Sequence, residues 1–300
     1  MRRELRTNCP TVLKNRRCAY CGAPLDASTS TKDHVVSRRF VPRGAFYQSW
    51  NLILRCCGPC NVKKSDLEDD LAAISMQPDA AGRFPREDEG LVSEAARKAV
   101  GSTSRLTREI VAQSNQSDEL RFRGGNMTMT LTTFGPPKPA DDRVLELSRL
   151  QVCGFFFLIT YDAEQASGGW WPGRFGLVDW EFRADWGNPV HLEFMRSTAS
   201  WAPRMIGTFA DGFFQIAIRR NPQAALWSWA VEWNENIRAI GFFGDEDAAR
   251  KTAADFSPLR WIDLGESNGV RHRYRHEISL PKERDTLFEA KDWSANGGKS

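Results

Sequence analysis

The sequence predicts an α+β protein in two unequal parts, and three observations support this. Two Cys-x-x-Cys pairs lie within residues 18–60 and predict a small metal-bound unit. Apolar residues recur at helical spacing after the second pair and again from residue 143. Between residues 204 and 244 several apolar segments, rich in aromatic and β-branched residues, end at turns, which predicts an antiparallel sheet with helices on one face.

The first predicted domain, residues 1–76, is organised around the cysteine pairs. Two thiolate pairs can close one tetrahedral zinc site, so we expect a structural zinc ion there. The four expected ligands are Cys18, Cys21, Cys57 and Cys60. Cys56 would not give the Cys-x-x-Cys spacing with Cys60. Three cysteines therefore lie outside the expected zinc site: Cys9, Cys56 and Cys153. An odd number of cysteines, seven, suits a reducing cytoplasm better than a disulfide framework.

The same segment is strongly basic. Residues 1–66 contain 13 Lys and Arg against four Asp and Glu, whereas the whole chain has a net charge of +3. A basic segment that also holds the metal motif is typical of a protein that contacts nucleic-acid phosphates, although a solvated basic arm would have the same composition. The expected phosphate contacts are Arg38, Arg39, Arg43, Lys63 and Lys64.

The second predicted segment, residues 77–138, is an extension and linker. Residues 77–90 are rich in Pro, Gly and charge, and two short helical patterns follow in residues 91–116. Residues 119–134 alternate weakly and predict a hairpin around Gly124-Gly125. The Pro-rich stretch 134–142 is the best candidate for a domain boundary.

The third predicted domain, residues 139–300, holds the sheet of about four strands. A helix is expected from residue 143, with an end that is ambiguous against strand, and another at residues 187–199. Ten of the 11 tryptophans lie between residues 170 and 293. They indicate an aromatic core, or else a recognition surface that stacks on nucleic acid, on a base-containing ligand or on another chain, which would be a protein partner or a second copy.

No apolar run approaches the length of a membrane span, and the basic start lacks the apolar core of a signal peptide. We therefore expect a cytoplasmic protein without a membrane partner.

Four polar residues are interleaved with the cysteine pairs in a fixed order. Asp33-His34 lies between the pairs, Asn51 precedes the second pair, and Asn61 follows its last cysteine. In this order the stretch resembles the HNH endonuclease superfamily, in its zinc-stapled ββα-metal form of treble-clef type. The resemblance covers about the first quarter of the chain, and the last 160 residues have none.

The resemblance implies a role for each of these residues. His34 would be the general base, which suits a neutral imidazole near pH 7. Asn51 would hold the loop that carries His34. Asp33 and Asn61 would offer oxygen ligands to a catalytic cation. Asn61 replaces the His of the fullest pattern, which favours Mg²⁺ or Mn²⁺, and Ser37 begins the basic stretch found where that pattern has Pro.

The function implied is an endonuclease or nickase that hydrolyses DNA phosphodiester bonds, with RNA the less favoured substrate. A C-terminal module that directs the nuclease would suit phage defence or restriction, by analogy at the level of the fold. The alternative is a non-catalytic zinc treble-clef protein that binds nucleic acid.

Overall fold

The fold is described from a computed structural model, which covers residues 9–47, 49–124, 127–171, 173–267 and 270–289. Within these residues the chain is a mixed α+β protein with five α-helices and four sheets. The strands are β1 (Thr11–Val12), β2 (Ser30–His34), β3 (Leu52–Cys57), β4 (Gln116–Gly124), β5 (Met127–Gly135), β6 (Phe175–Phe182), β7 (Ala202–Phe209), β8 (Phe214–Arg220), β9 (Leu226–Trp233), β10 (Ile237–Gly244), β11 (Ile262–Ser267) and β12 (Val270–Tyr274). The helices are α1 (Gly58–Ser75), α2 (Glu89–Gly101), α3 (Asp141–Ile159), α4 (Pro189–Thr198) and α5 (Glu246–Ala254).

The N-terminal unit is a three-stranded sheet followed directly by α1. The strand order is β1-β3-β2, with β2 antiparallel and β1 parallel to β3. Alternate residues of β3, namely Leu52, Leu54 and Cys56, are buried, as expected for a strand with one face on the core. Pro59 in the first turn of α1 favours a helix start immediately after β3.

The middle segment forms one helix and one hairpin. The Asp88 side chain accepts a hydrogen bond from the Leu91 backbone N–H (2.8 Å) and caps the start of α2. Helix α2 ends at Gly101. The second helical pattern predicted before residue 116 forms only a short 3₁₀ turn at Val111–Gln113. The predicted hairpin is present as β4 and β5, and its turn residues 125–126 lie outside the described residues.

The C-terminal sheet has five antiparallel strands in the order β6-β10-β9-β8-β7, one more than the sequence predicted. The strand that the sequence analysis missed is β6. It carries two acidic residues, Asp179 and Glu181, and Arg275, from much later in the chain, donates a hydrogen bond to Glu181. Acidic residues are depleted in strands, so the sequence pattern did not indicate one here.

Helix α3 joins the two parts of the molecule. Its apolar end, ambiguous in the sequence, is helical to Ile159 and lies against both α1 and the sheet. A Cβ at Gly154 would lie 2.8 Å from a methyl carbon of Val35, so glycine lets α3 approach the N-terminal unit closely. One hydrophobic cluster contains Phe40 of that unit, Phe155 of α3 and Trp233 of the sheet. The division into three domains stays a prediction, and the structure adds that the first and third share a core.

As for membrane insertion, every helix in the described part of the chain is too short or too polar to span a bilayer.

Candidate functional site

The four cysteines of the predicted zinc site lie together, with all four sulfur atoms within 4.8 Å of one another. Two come from the turn before β2, one ends β3 and one lies in the first turn of α1. The Cys21 and Cys57 sulfurs are 3.7 Å apart. A tetrahedral zinc ion with Zn–S bonds of about 2.3 Å would separate its sulfurs by about 3.8 Å. The cluster could therefore hold a metal such as zinc.

The turn that carries Cys18 and Cys21 depends on Gly22. Its φ of +73° lies in the left-handed region that favours glycine, and its N–H donates to the Cys18 carbonyl (2.8 Å). The Trp170 ring covers the same residue, and an added Cβ would lie 2.4 Å from it. Gly22 is therefore required both by the backbone angle and by the close approach of Trp170.

The thiols of this cluster are electrostatically coupled. The hydrogen bond from Cys60 is the largest cause that lowers the pKa of Cys18 to about 4, against the opposing effect of burial. The same contact raises the pKa of Cys60, because the Cys18 thiolate needs its proton. Without a cation the cluster favours one thiolate supported by neighbouring thiols, and a bound dication would displace the remaining protons. Cys56 is buried outside the cluster with its sulfur 3.4 Å from the Thr31 hydroxyl, as the spacing predicted.

A buried polar network lies beside the cluster, at the end of β2. Asp33 is 8% exposed, and its Oδ2 accepts a hydrogen bond from the Tyr20 hydroxyl. Its Oδ1 lies 3.3 Å from Lys64 Nζ, which also donates to Glu68 Oε1 at 2.7 Å. Both Asp33 oxygens therefore have protein partners, and a cation would have to use their second lone pairs. The role of Asp33 as a cation ligand stays a prediction.

The prediction that Lys64 contacts nucleic acid is wrong in this structure. Its side chain is 1% exposed, and the ammonium group is surrounded by Asp33, Glu68 and the His34 carbonyl (2.8 Å). Lys63 is 59% exposed instead and forms an ion pair with Glu146 (2.7 Å). Lys64 thus holds the end of β2 against α1, and a lysine at this position is structural.

His34 is the last residue of β2 and is half-buried. Burial and then the nearby Arg38 charge lower the pKa of His34, which favours neutral imidazole near pH 7. The loop after it is fixed by Asn51, whose Nδ2 donates to the Val36 carbonyl and whose Oδ1 accepts from the Leu52 N–H, both at 2.8 Å. This is the contact that the resemblance implied for Asn51.

Asn61 lies in the first turns of α1, three residues before Lys64 and therefore on the same face of the helix. Lys64 reaches Asp33 on β2 from this face of α1. The structure thus brings Asp33 and His34 together with the start of α1. The role of Asn61 as a cation ligand stays a prediction.

The three arginines predicted to contact phosphate, Arg38, Arg39 and Arg43, lie on the loop after β2, and all three are exposed.

No protein-family model, no curated protein and no solved structure matches this chain. Function is therefore inferred from the residues and their geometry.

Sequence analysis missed two partners in the buried network, Tyr20 and Glu68. Glu68 had a signal, since it lies four residues after Lys64 on a predicted helix, where opposite charges attract. Tyr20 had none, because only the fold shows that the turn between the cysteines faces Asp33.

Proposed function

We propose that this protein is a metal-dependent endonuclease of the HNH type that hydrolyses DNA phosphodiester bonds. The observation that carries the proposal is the setting of His34. Its ring is half-buried with a lowered pKa, its carbonyl is held by Lys64, and the loop after it is held by Asn51. A neutral imidazole on a fixed backbone beside exposed arginines suits a general base that acts on a phosphodiester.

In this proposal His34 accepts a proton from the attacking water. The exposed Arg38, Arg39 and Arg43 neutralise and orient the phosphodiester. The oxygen donors of Asp33 and Asn61 fit a hard cation such as Mg²⁺ or Mn²⁺, which when bound would stabilise charge on the phosphate and the leaving oxygen. Asp33 would do so while still bonded to Tyr20 and Lys64.

The cysteine cluster has a positioning role in this scheme. A zinc ion would tie the turn that carries Tyr20 to the first turn of α1, which carries Asn61. Removing that ion would separate the groups that surround Asp33. We further propose that the C-terminal sheet directs the nuclease, in defence or restriction, through a protein partner or a second copy.

The alternative is a zinc-dependent DNA-binding protein without catalysis. One observation favours it: both Asp33 oxygens already have protein partners, and the carboxylate is buried. A cation site is weaker if its carboxylate must remain bonded to a buried lysine.

Cleavage of supercoiled plasmid with Mg²⁺ or Mn²⁺ separates the two functions. We expect wild type to nick or linearise the plasmid, and His34→Ala to reduce the rate by about 100-fold or more. His276→Ala, which removes an exposed histidine on the C-terminal half, is the matched control and should cleave like wild type. Equal cleavage by wild type and His34→Ala would exclude His34 as the base. Absence of cleavage by every variant, with DNA binding retained, would favour the alternative.

A further inference from the structure

A cavity of about 880 Å³ opens between the loop after β2 and the start of α2. It is lined by Arg38, Arg39, Arg43 and Tyr47 from the loop, and by Glu94 and Arg97 from α2. Its volume is that of a small-molecule site rather than of a flat contact surface. Arg38, which lines the cavity, is four residues after His34 in the chain, and its charge helps to lower the pKa of the His34 ring.

The loop that carries the three arginines is fixed by buried contacts with the C-terminal sheet and with α2. Phe40 is fully buried against Trp233, with ring centroids 5.5 Å apart. The Phe40 carbonyl accepts a hydrogen bond from Asn234 (3.1 Å), and the Arg39 carbonyl accepts one from Lys98 of α2. The buried residues therefore anchor the loop while the arginines remain in solvent. Such a site is preorganised, which lowers the entropy cost of binding.

The cavity carries an excess of positive charge. Glu94 is the only carboxylate among the described residues that line it, and it forms an ion pair with Arg97 at 2.6 Å. Arg38, Arg39 and Arg43 make no ion pair with any residue that the structure describes, although Arg43 is close enough to help lower the pKa of Glu94. The guanidinium groups outnumber the carboxylate and repel one another, and a polyanion would relieve that repulsion.

Tyr47 adds an aromatic surface to this cationic site. Its side chain is 85% exposed, the highest value among the large apolar and aromatic residues described. An exposed ring beside arginines is the arrangement that binds an unstacked base together with its phosphate. A base inside a duplex is stacked on its neighbours and cannot offer its face to Tyr47.

We propose that this cavity binds an unpaired nucleotide of a DNA strand, with its phosphates on the arginines and its base on Tyr47. The proposal rests on the proposed nuclease function and names its substrate class as single-stranded or locally unpaired DNA.

Fluorescence anisotropy tests the site without any cleavage step. The zinc-replete full chain, without Mg²⁺, is titrated into labelled oligothymidylate of about 16 nucleotides and into a duplex of the same length. We expect tighter binding to the single strand. Tyr47→Ala should weaken that binding by about 5- to 150-fold, while Tyr47→Phe, which keeps the ring, should bind like wild type.

The salt dependence gives a second readout. Arg43→Gln should reduce the slope of log Kd against log salt concentration by about 0.7, the value for one phosphate contact on a single strand. Arg204→Gln is the matched control, because it removes an exposed arginine from the edge strand β7 and should leave the slope unchanged.

Two results would overturn the site: duplex bound as tightly as the single strand, or wild-type affinity in Tyr47→Ala. If either occurs while plasmid cleavage still requires His34, the nuclease stands and the nucleotide site is wrong. If Tyr47 governs binding but wild type cleaves nothing, the site stands and the nuclease proposal is wrong.

Discussion

At the scale of single residues, Lys64 shows how one buried charge joins separate parts of the chain. Burial lowers the pKa of Lys64, but the carboxylates of Glu68 and Asp33 outweigh it and raise the value overall. The ammonium group is therefore charged and is the partner of two buried carboxylates. A buried pair contributes little beyond what an apolar pair would, but breaking it leaves an uncompensated charge.

Replacing Lys64 by Met should consequently lower the free energy of unfolding by about 3–5 kcal/mol near pH 7, because Asp33 and Glu68 lose the one ion-pair partner that they have among the described residues. Urea denaturation followed by circular dichroism measures the change. Lys63→Met is the control, since Lys63 is 59% exposed, and it should stay within about 1 kcal/mol of wild type. A Lys64→Met protein as stable as wild type would show that the network does not stabilise the fold.

The metal cluster allows a second prediction at this scale. We expect one zinc ion per chain in wild type and less than half of that in Cys60→Ser. The zinc content of each purified protein is measured by inductively coupled plasma mass spectrometry. Cys60 has the strongest coupling to Cys18, so its loss removes both a ligand and the proton donor that stabilises the thiolate. Cys9→Ser changes an exposed thiol outside the cluster and should keep the full zinc content. Equal zinc in both variants would mean that the cysteines do not hold the metal.

Local spacing was enough to predict the residues of the metal cluster, including Cys57 in preference to Cys56. The environment of Lys64 could not be predicted in the same way, because its partner Asp33 lies 31 residues earlier in the chain. Sequence patterns report which residues are basic, whereas burial of a basic side chain depends on which carboxylates the fold brings to it.

At the scale of elements, strand β6 carries half-buried acids that should make the stability of the protein depend on pH. Burial and then the nearby Asp179 charge raise the pKa of Glu181 to about 8, although Arg275 opposes the shift. Burial also raises the pKa of Asp179 to about 6. One guanidinium, that of Arg275, contacts both Glu181 and Asp185, so the cluster has more carboxylates than cations. His191 lies 3.4 Å from Asp179, but burial lowers its pKa and keeps it neutral.

A raised pKa means that the folded protein binds this proton more tightly than the unfolded chain does. The stabilisation is therefore complete below the ordinary glutamate pKa of 4.5 and is lost as the pH rises through about 8. We expect the free energy of unfolding to fall over this range, and Glu181→Gln to flatten the dependence. Denaturation at a series of pH values measures both. Glu246→Gln removes an exposed acid of α5 and is the control, so its stability should change with pH as that of wild type does. If Glu181→Gln also keeps the wild-type pH dependence of stability, other groups cause it.

At the scale of the whole molecule, the predicted domain boundary lies among residues that are partly buried. The Pro-rich stretch 134–142 has the composition of a linker, yet Pro137 and Pro139 are buried. The following helix, α3, lies against both the N-terminal unit and the sheet. Composition reports how a segment would behave in isolation, but contacts between distant segments decide whether it separates two domains.

This shared core predicts that the metal unit and the sheet unfold together. Phe155 of α3 is fully buried, with its ring centroid 6.2 Å from Trp50 in the N-terminal unit and 5.9 Å from Phe214 in the sheet. Loss of either part would expose the apolar surface of the other, so neither has a complete core alone. Urea should therefore release zinc, detected with a chromogenic chelator, at the same midpoint at which the circular dichroism of the sheet is lost.

Phe155→Ala provides the decisive test of this coupling. Removing the ring leaves a cavity between the two parts and should lower the free energy of unfolding by about 3–5 kcal/mol. Both transitions should move to lower urea by the same amount, because the ring contacts both sides. Leu106→Ala, at an apolar residue that is 47% exposed, is the control and should move neither. If zinc release and loss of the sheet have separate midpoints, or if Phe155→Ala shifts only one of them, the molecule consists of two independent domains that merely touch at α3.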